Sequence, residues 1–325
     1  MSMQLPKPKR LTWILIPAVL VSLIIALPSK SLAQEKESVD VLKVETDLVV
    51  FDAQVIDKKT KRVIGDLSKD DFEVYEKGLK QPISYFGRDE LPLSIMLLLD
   101  VSGSVRPILH QIRDGALNAL QRLKPQDQVA VMAFANISQL AQDFTKDRSL
   151  AARKIKEATA TDALGRGTLL APALETATFH MQTAATQASR RVIIVITDNI
   201  AFASGAEQKE ILEGLFDSGT VVYGLIVRAA FGKVFNVLFL GQIKGVNKFV
   251  EETGGEVLGA SKDEVDQKLG VVIDRLRARY ALGFRPASAT SKDEFRPVVI
   301  KISPARTRKE KPLVLTKRGY YLRRP

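Results

Sequence analysis

The chain has 325 residues, of which 46% are hydrophobic and 26% are charged, a composition that is typical of a globular protein and excludes a disordered one. The length predicts about two domains. Cysteine is absent and only two histidines occur, His110 and His180, which excludes disulfides and thiol nucleophiles and disfavours a histidine-rich zinc site or a histidine-based triad.

The first 33 residues have the pattern of a secretory signal peptide. Three basic residues within positions 7–10 precede an uncharged, mostly apolar run at residues 11–27, and the small residues Ser31 and Ala33 follow where signal peptidase reads. We predict cleavage after Ala33 and export to the periplasm or the cell exterior. Because the apolar run is only slightly shorter than a membrane span, an uncleaved membrane anchor is the alternative.

The net charge of the remaining chain is moderate. Residues 1–33 contain four Lys or Arg and no Asp or Glu, so the rest holds 44 basic and 37 acidic residues, a net charge of +7. Much of this excess is close to the C-terminus. We predict no nucleic-acid partner, because an exported protein rarely meets one, and we favour solvated strand edges or attraction to anionic lipids and polysaccharides.

Residues 34–91 form an N-terminal β segment and residues 280–325 a C-terminal one. Both have short, partly alternating groups of apolar residues that are typical of strands. Residues 34–91 are too few for a full domain. We therefore predict that the two segments pair into one small β-sandwich, which flanks a central domain at residues 92–279.

Strands and helices alternate through the central domain. Continuous apolar runs at 94–99, 128–134 and 192–196 are typical of strands buried on both faces. Segments with helical spacing lie between and after these runs, and the last is at 264–279. The alternation predicts an α/β fold with a mostly parallel sheet, helices on both faces and a ligand site at the carboxyl edge of the strands. Apolar residues within 229–245 are expected to add to the core, with a partner-binding surface as the alternative.

A group of oxygen-bearing side chains follows the first buried strand. Asp100, Ser102 and Ser104 are alternate residues that can turn their oxygens to one side of a loop, and Gly103 permits the bend. Carboxylates and hydroxyls are hard ligands that suit Mg²⁺, Mn²⁺ or Ca²⁺ and suit zinc poorly. The competing interpretation is a helix N-cap turn, where Asp and Ser are also common.

Two later segments can supply further oxygens. Thr168 follows a glycine-punctuated loop at the predicted start of a helix, and Asp198 follows the buried strand at 192–196. Each has an ordinary structural alternative, which is an N-cap for Thr168 and a cap or Asx turn for Asp198.

With these residues the sequence resembles the von Willebrand factor type A (VWFA) family. The metal-ion-dependent adhesion site (MIDAS) of that family has the pattern Asp-x-Ser-x-Ser, then a threonine, then an aspartate. The matching residues are Asp100, Ser102, Ser104, Thr168 and Asp198. The resemblance covers residues 93–279 and implies a Rossmann-like α/β domain. The flanking segments are similar to a bacterial exported VWFA-related subgroup, and Asn199 stands where many members have glycine.

The resemblance implies a non-enzymatic protein-binding module for adhesion or complex assembly. In such a module a divalent cation, Mg²⁺ foremost with Mn²⁺ or Ca²⁺ as alternatives, binds an Asp or Glu of a partner protein. A metal-dependent hydrolase is one alternative, but a phosphatase of the haloacid dehalogenase type needs a second aspartate where this chain has Ser102, and no phosphate-binding loop or nucleophile elbow occurs. A metal-free structural cell-envelope protein is the other alternative.

Overall fold

A mostly parallel sheet lies at the centre of the part of the chain that the structure describes. The computed structural model describes residues 48–88, 91–185, 189–198, 207–227, 245–286, 294–307 and 311–322. These residues all belong to one unit, Thr46–Pro325. The predicted signal peptide, the alternative anchor at 11–27 and nearly all of the apolar stretch 229–245 lie outside the described residues.

Strands and helices have the following bounds in chain order. The strands are β1 (Val49–Asp57), β2 (Phe72–Glu76), β3 (Leu79–Gln81), β4 (Tyr85–Gly87), β5 (Leu93–Asp100), β6 (Gln128–Phe134), β7 (Ser138–Thr145), β8 (Arg190–Thr197), β9 (Val221–Val227), β10 (Val257–Ala260), β11 (Tyr280–Phe284), β12 (Glu294–Ile302), β13 (Pro312–Leu315) and β14 (Gly319–Leu322). The helices are α1 (Leu109–Gln121), α2 (Arg148–Ala160), α3 (Leu170–Thr183), α4 (Glu207–Ser218), α5 (Asn247–Thr253), α6 (Val265–Arg277) and α7 (Pro304–Thr307).

The central sheet has the strand order β10-β9-β8-β5-β6-β7 among the described residues. Its neighbouring strands are parallel except for β6 and β7. Every residue of β5 is buried, because alternate side chains enter two separate cores. Leu97 and Leu99 pack with α1, α2 and α6, whereas Met96 and Leu98 pack with α3, α4 and α5. The predicted mostly parallel sheet with helices on both faces is therefore confirmed.

The edge strand β7 is an addition to the predicted elements. It pairs antiparallel with β6 through an irregular register, and its residues are half-buried or exposed. Its sequence, Ser-Gln-Leu-Ala-Gln-Asp-Phe-Thr, lacks the continuous apolar character that identifies strands buried on both faces. An edge strand keeps one face in solvent, which explains why polar residues occur along it.

The two terminal β segments form a sandwich of two antiparallel sheets. One sheet has the order β13-β1-β11-β4 and the other β14-β12-β2-β3 within the described residues. Each sheet therefore combines strands from before and after the central domain. Side chains of both sheets share one core, which includes Phe51 and Tyr280 from the first sheet and Phe72, Ile300 and Tyr320 from the second. The predicted β-sandwich built from N- and C-terminal segments is thus confirmed.

The junction between helix α6 and the sandwich differs from the prediction. The helix ends at Arg277, and Arg279 is fully buried beyond it. The Arg279 guanidinium donates hydrogen bonds to the carbonyl oxygens of Gly254, Asp52 and Leu315, at 2.9, 3.2 and 3.2 Å, and to the Tyr223 hydroxyl at 2.9 Å. A charged residue near a helix end is usually expected to be solvated. Here the buried Arg279 side chain instead connects four separate segments.

No helix among the described ranges combines the length and the apolar character that crossing a bilayer requires. The segment that the sequence offers as an anchor, residues 11–27, is not in those ranges.

We expect residues 34–91 expressed alone to be unfolded. The main partners of β1 and β2 are β11, β13 and β12, which all come from after the central domain, and a lone hairpin is marginal in water. Far-UV circular dichroism and amide dispersion in NMR spectra would check this against the full chain. A cooperative thermal transition in the isolated fragment would show that the N-terminal segment folds independently.

Candidate metal centre

The candidate residues meet at the carboxyl edge of the central sheet. Asp100 is the last residue of β5, and Asp198 directly follows β8. These two strands are parallel neighbours, with Leu99 opposite Ile196. Carboxyl ends of adjacent parallel strands lie at the same edge, so the two aspartates come from neighbouring strand ends although 98 positions separate them in the sequence.

The loop after β5 is organised around the buried carboxylate of Asp100. Asp100 Oδ1 accepts a hydrogen bond from the Ser102 backbone N–H at 2.9 Å, and Oδ2 accepts one from the Thr197 hydroxyl at 2.6 Å. The Ser102 and Ser104 hydroxyl oxygens are 3.2 Å apart. Asp100 and Ser102 are fully buried whereas Ser104 is exposed, so the pair of hydroxyls leads from the buried carboxylate to the surface.

Burial raises the pKa of Asp100 from 3.8 to about 6. The hydrogen bonds from Ser102 and Thr197 favour the ionised form and oppose this shift, and the nearby negative charge of Asp198 adds to it. Two carboxylates that disfavour each other's ionisation are an arrangement that a cation between them would stabilise.

The loop that carries Thr168 is held against the loop after β5. The Gly103 N–H donates to the Arg166 carbonyl oxygen at 2.9 Å, and the Leu169 N–H donates to the Ala135 carbonyl oxygen at 2.9 Å. The Gly167 N–H donates to Asn136 Oδ1. A Cβ atom at position 103 would lie 3.3 Å from the Arg166 oxygen, so the close approach of the two loops favours glycine there.

Of the three capping interpretations, those for the loop after β5 and for Thr168 are wrong, and the residues that follow Asp198 lie outside the described ranges. Helix α3 begins at Leu170, with Leu169 at the N-cap position and no side-chain capping bond. Thr168 lies outside the helix, and its hydroxyl makes no hydrogen bond with any residue in the described part of the chain. Ser104 does not cap a helix either, because Val105 and Ile108 hold the N-cap positions of the 3₁₀ turn Arg106–Ile108 and of α1.

The five candidate residues therefore occupy three loops at one edge of the sheet. Asp100 and Ser102 share a hydrogen bond, Ser104 contacts Ser102, Asp198 is close enough to affect the pKa of Asp100, and Thr168 is in the loop bonded to Gly103. Two carboxylates and three hydroxyls are a hard donor set that fits Mg²⁺, Mn²⁺ or Ca²⁺. In the described residues no group of three or more Asp, Glu, His or Cys side chains is placed to hold a metal ion, so a site here depends on the hydroxyls.

Two residues with structural roles in this region are absent from the predicted set. Thr197 orients the Asp100 carboxylate through its hydroxyl, and its position directly before Asp198 is the signal that could have indicated it. Asn136 accepts the Gly167 N–H from a residue 31 positions away. No short-range pattern marks Asn136, since its role depends on tertiary contact.

The loops of this edge agree with a known sequence pattern. Residues 95–201 match the von Willebrand factor type A domain. This segment is similar to a type A domain. The matched segment includes all five candidate residues, and the resemblance inferred from the sequence is confirmed. A comparison with curated proteins finds no matching sequence.

Solved structures that match part of this chain include two from Bacteroides. An aerotolerance-related membrane protein from Bacteroides fragilis NCTC 9343 is 18% identical with a TM-score of 0.44, and the match covers 57% of this chain and 98% of that one. BatB from Bacteroides thetaiotaomicron is 19% identical with a TM-score of 0.45 and the same coverage. Proximal thread matrix protein 1 from the mussel byssus, with a zinc-occupied MIDAS motif, is 18% identical with a TM-score of 0.44, and the match covers 57% of this chain and 48% of that one.

We expect Asp100→Asn to stabilise the metal-free protein at neutral pH. The pKa of Asp100 is about 6 in the folded protein and 3.8 when the side chain is unperturbed. The free energy of unfolding therefore falls as pH rises from 3.8 to about 6, and the stability lost in that interval stays lost at higher pH. The asparagine variant should gain about 2–3 kcal/mol at pH 7.5 without metal, the equivalent of that pKa shift. Its amide can still accept from Ser102 and donate to the Thr197 hydroxyl.

Urea denaturation in EDTA between pH 4 and pH 8 measures this difference. The wild type should lose stability across the interval relative to the variant, and Mg²⁺ at pH 7.5 should restore stability to the wild type alone. Parallel pH profiles for the two proteins would show that Asp100 ionises without an energetic penalty.

Proposed function

We propose that the type A domain is a metal-dependent protein-binding module of an exported protein. In this proposal Asp100, Ser102, Ser104, Thr168 and Asp198 hold a divalent cation, and an Asp or Glu of a partner protein completes its coordination. The observation that carries the proposal is that three loops with oxygen-bearing side chains lie at one sheet edge, in a chain that matches the type A pattern. Adhesion or the assembly of a protein complex is the role we infer.

The hydrogen bonds of Asp100 indicate that some ligands contact the cation directly and others contact it through water. Both of its oxygens already accept hydrogen bonds from the protein, which favours contact with the cation through water. The hydroxyls of Ser102, Ser104 and Thr168 are then the direct protein ligands. Because the direct ligands are neutral, the cation stays strongly Lewis acidic. An anionic oxygen from a partner then completes its coordination. Mg²⁺ is the ion we favour, with Mn²⁺ or Ca²⁺ as alternatives.

Exposed apolar side chains next to the candidate centre support a protein partner. Ile137 is 61% exposed and Leu169 is 44% exposed. Both lie beside Ala135, whose N–H donates to the Ile137 carbonyl oxygen and whose carbonyl oxygen accepts from the Leu169 N–H, each at 2.9 Å. An apolar pair next to a cation site suits a partner that presents an acidic residue with an apolar neighbour.

The hydrolase alternative has less support than binding. Hydrolysis needs a positioned base or nucleophile, and neither histidine belongs to the loops of the centre, since His110 is in α1 and His180 is in α3. We expect no Mg²⁺-dependent phosphatase activity. A metal-free structural role is disfavoured because the negative charges of Asp100 and Asp198 would lie near each other with no cation between them.

We expect partner capture to require both a divalent cation and Asp100. A pull-down from cell-envelope extract should retain a partner in Mg²⁺, and should lose it in EDTA or with Asp100→Ala, because the cation bridge is absent. Asp114→Ala is the matched control, since Asp114 is an exposed aspartate on α1 that pairs with Arg113. Retention of the same partner by Asp100→Ala in EDTA would exclude a cation bridge.

We expect Ile137→Ser and Leu169→Ser each to weaken binding of the captured partner by about tenfold, the typical effect of removing an apolar anchor. The affinity for Mg²⁺, measured by calorimetry, should stay unchanged because neither side chain is a ligand. Leu79→Ser is the control, since Leu79 is 70% exposed in the sandwich strand β3. Equal losses for Leu79→Ser would mean that the effect is not specific to this edge.

A further inference from the structure

A separate cavity of about 360 Å³ lies at the opposite edge of the central sheet. It is lined by the first residues of β8 and β9, Arg190 and Val221, together with Val50 and Asp52 of β1 and with Lys317. The candidate metal centre follows the last residues of β5 and β8, so the full length of β8 separates the two places. The volume is within the range of about 300–1,000 Å³ that is usual for small-molecule sites.

One wall of the cavity is apolar and open to solvent. Leu48, Val50 and Leu91 line it, and all three are among the exposed large apolar side chains of the described residues. Val50 is on the outer face of β1, because its neighbours Phe51 and Ala53 alternate into the sandwich core. Apolar surface of this kind in a concave site favours a ligand with an apolar body.

The cavity lining contains one ion pair and two further basic side chains. Asp52 is bound by Arg190, whose Nε and Nη2 donate to its two oxygens at 2.8 and 3.2 Å. The remaining Arg190 nitrogen, Nη1, donates to the Leu276 carbonyl oxygen at 2.7 Å. These two side chains therefore neutralise each other, and the other cations of the lining, Arg191 and Lys317, carry a net charge of +2.

Arg191 and Lys317 have no carboxylate partner in the described part of the chain. Arg191 donates a hydrogen bond from Nη1 to the Ser218 carbonyl oxygen at 2.9 Å. The Lys317 ammonium lies 4.7 Å from the centroid of the Phe51 ring and makes no hydrogen bond or ion pair with a described residue. An ammonium that is partly buried among apolar groups retains unused donors, which an anion can accept from.

Burial lowers the pKa of both side chains, and the negative charges of Asp52 and Asp217 oppose the shift at Lys317. Partial desolvation without a contacting anion disfavours the charged form of each group. A bound carboxylate would reverse that effect, which agrees with the geometry.

We propose that this cavity binds a small amphipathic anion, namely a monocarboxylate with an apolar body. Its carboxylate pairs with Lys317 and Arg191, and its body covers Leu48, Val50 and Leu91. A carboxylate suits the ammonium and the guanidinium of the lining, and an apolar body suits the apolar wall. The site is independent of the metal centre, so it gives the protein a small-molecule ligand besides its protein partner.

Calorimetric titration of the purified protein with octanoate tests the proposal. We expect saturable 1:1 binding of octanoate, with octanol and octylamine at least tenfold weaker because they lack the carboxylate. Lys317→Met should weaken octanoate binding at least tenfold. Lys301→Met is the matched control, since the Lys301 ammonium lies 4.9 Å from the centroid of the Tyr75 ring but does not line the cavity, and it should bind octanoate as the wild type does.

A second variant covers the case in which Lys317→Met does not fold, which circular dichroism would reveal. Leu91→Glu changes an exposed residue at the cavity and adds a negative charge, so it should also weaken octanoate binding at least tenfold. The proposal is overturned if octanoate does not bind saturably, if octanol binds as tightly as octanoate, or if folded Lys317→Met or Leu91→Glu retains wild-type affinity.

Discussion

The carboxylate of Asp100 is held in a fully buried position at the end of a strand that has no exposed residue. Burial favours its protonated form, whereas the Ser102 N–H and the Thr197 hydroxyl favour its ionised form. The two donors come from the loop after β5 and from the last residue of β8, so the Asp100 carboxylate connects the two strand ends that carry the candidate site. A cation at this edge would remove the electrostatic conflict that the fold otherwise contains.

Much of the fold was accessible from the sequence because burial on both faces leaves continuous apolar runs. The strands β5, β6 and β8 lie where those runs predicted them. Edge strand β7 was missed because solvent on one face permits polar residues. Strand pairing across the central domain depends on long-range contacts, which local periodicity does not encode.

The candidate site likewise contains residues that the sequence marks and residues whose roles only the tertiary structure reveals. Asp100, Ser102 and Ser104 form a local motif whose spacing is visible in the chain, and Asp198 is marked by its place after a buried strand. Thr168 was identified, but its capping alternative was excluded only by the start of α3 at Leu170. The roles of Asn136 and Arg279 arise from contacts between distant segments, so the residues themselves carried no sequence signal.

The strand order of the sandwich has a consequence for biosynthesis. Strand β1 lies between β11 and β13, so its first neighbour is complete only after residue 284 has been made and its second only after residue 315. The central sheet, by contrast, is complete once β10 has been made. Folding during translation can therefore begin in the central sheet, while β1, the first strand of the described residues, still lacks the strands that pair with it.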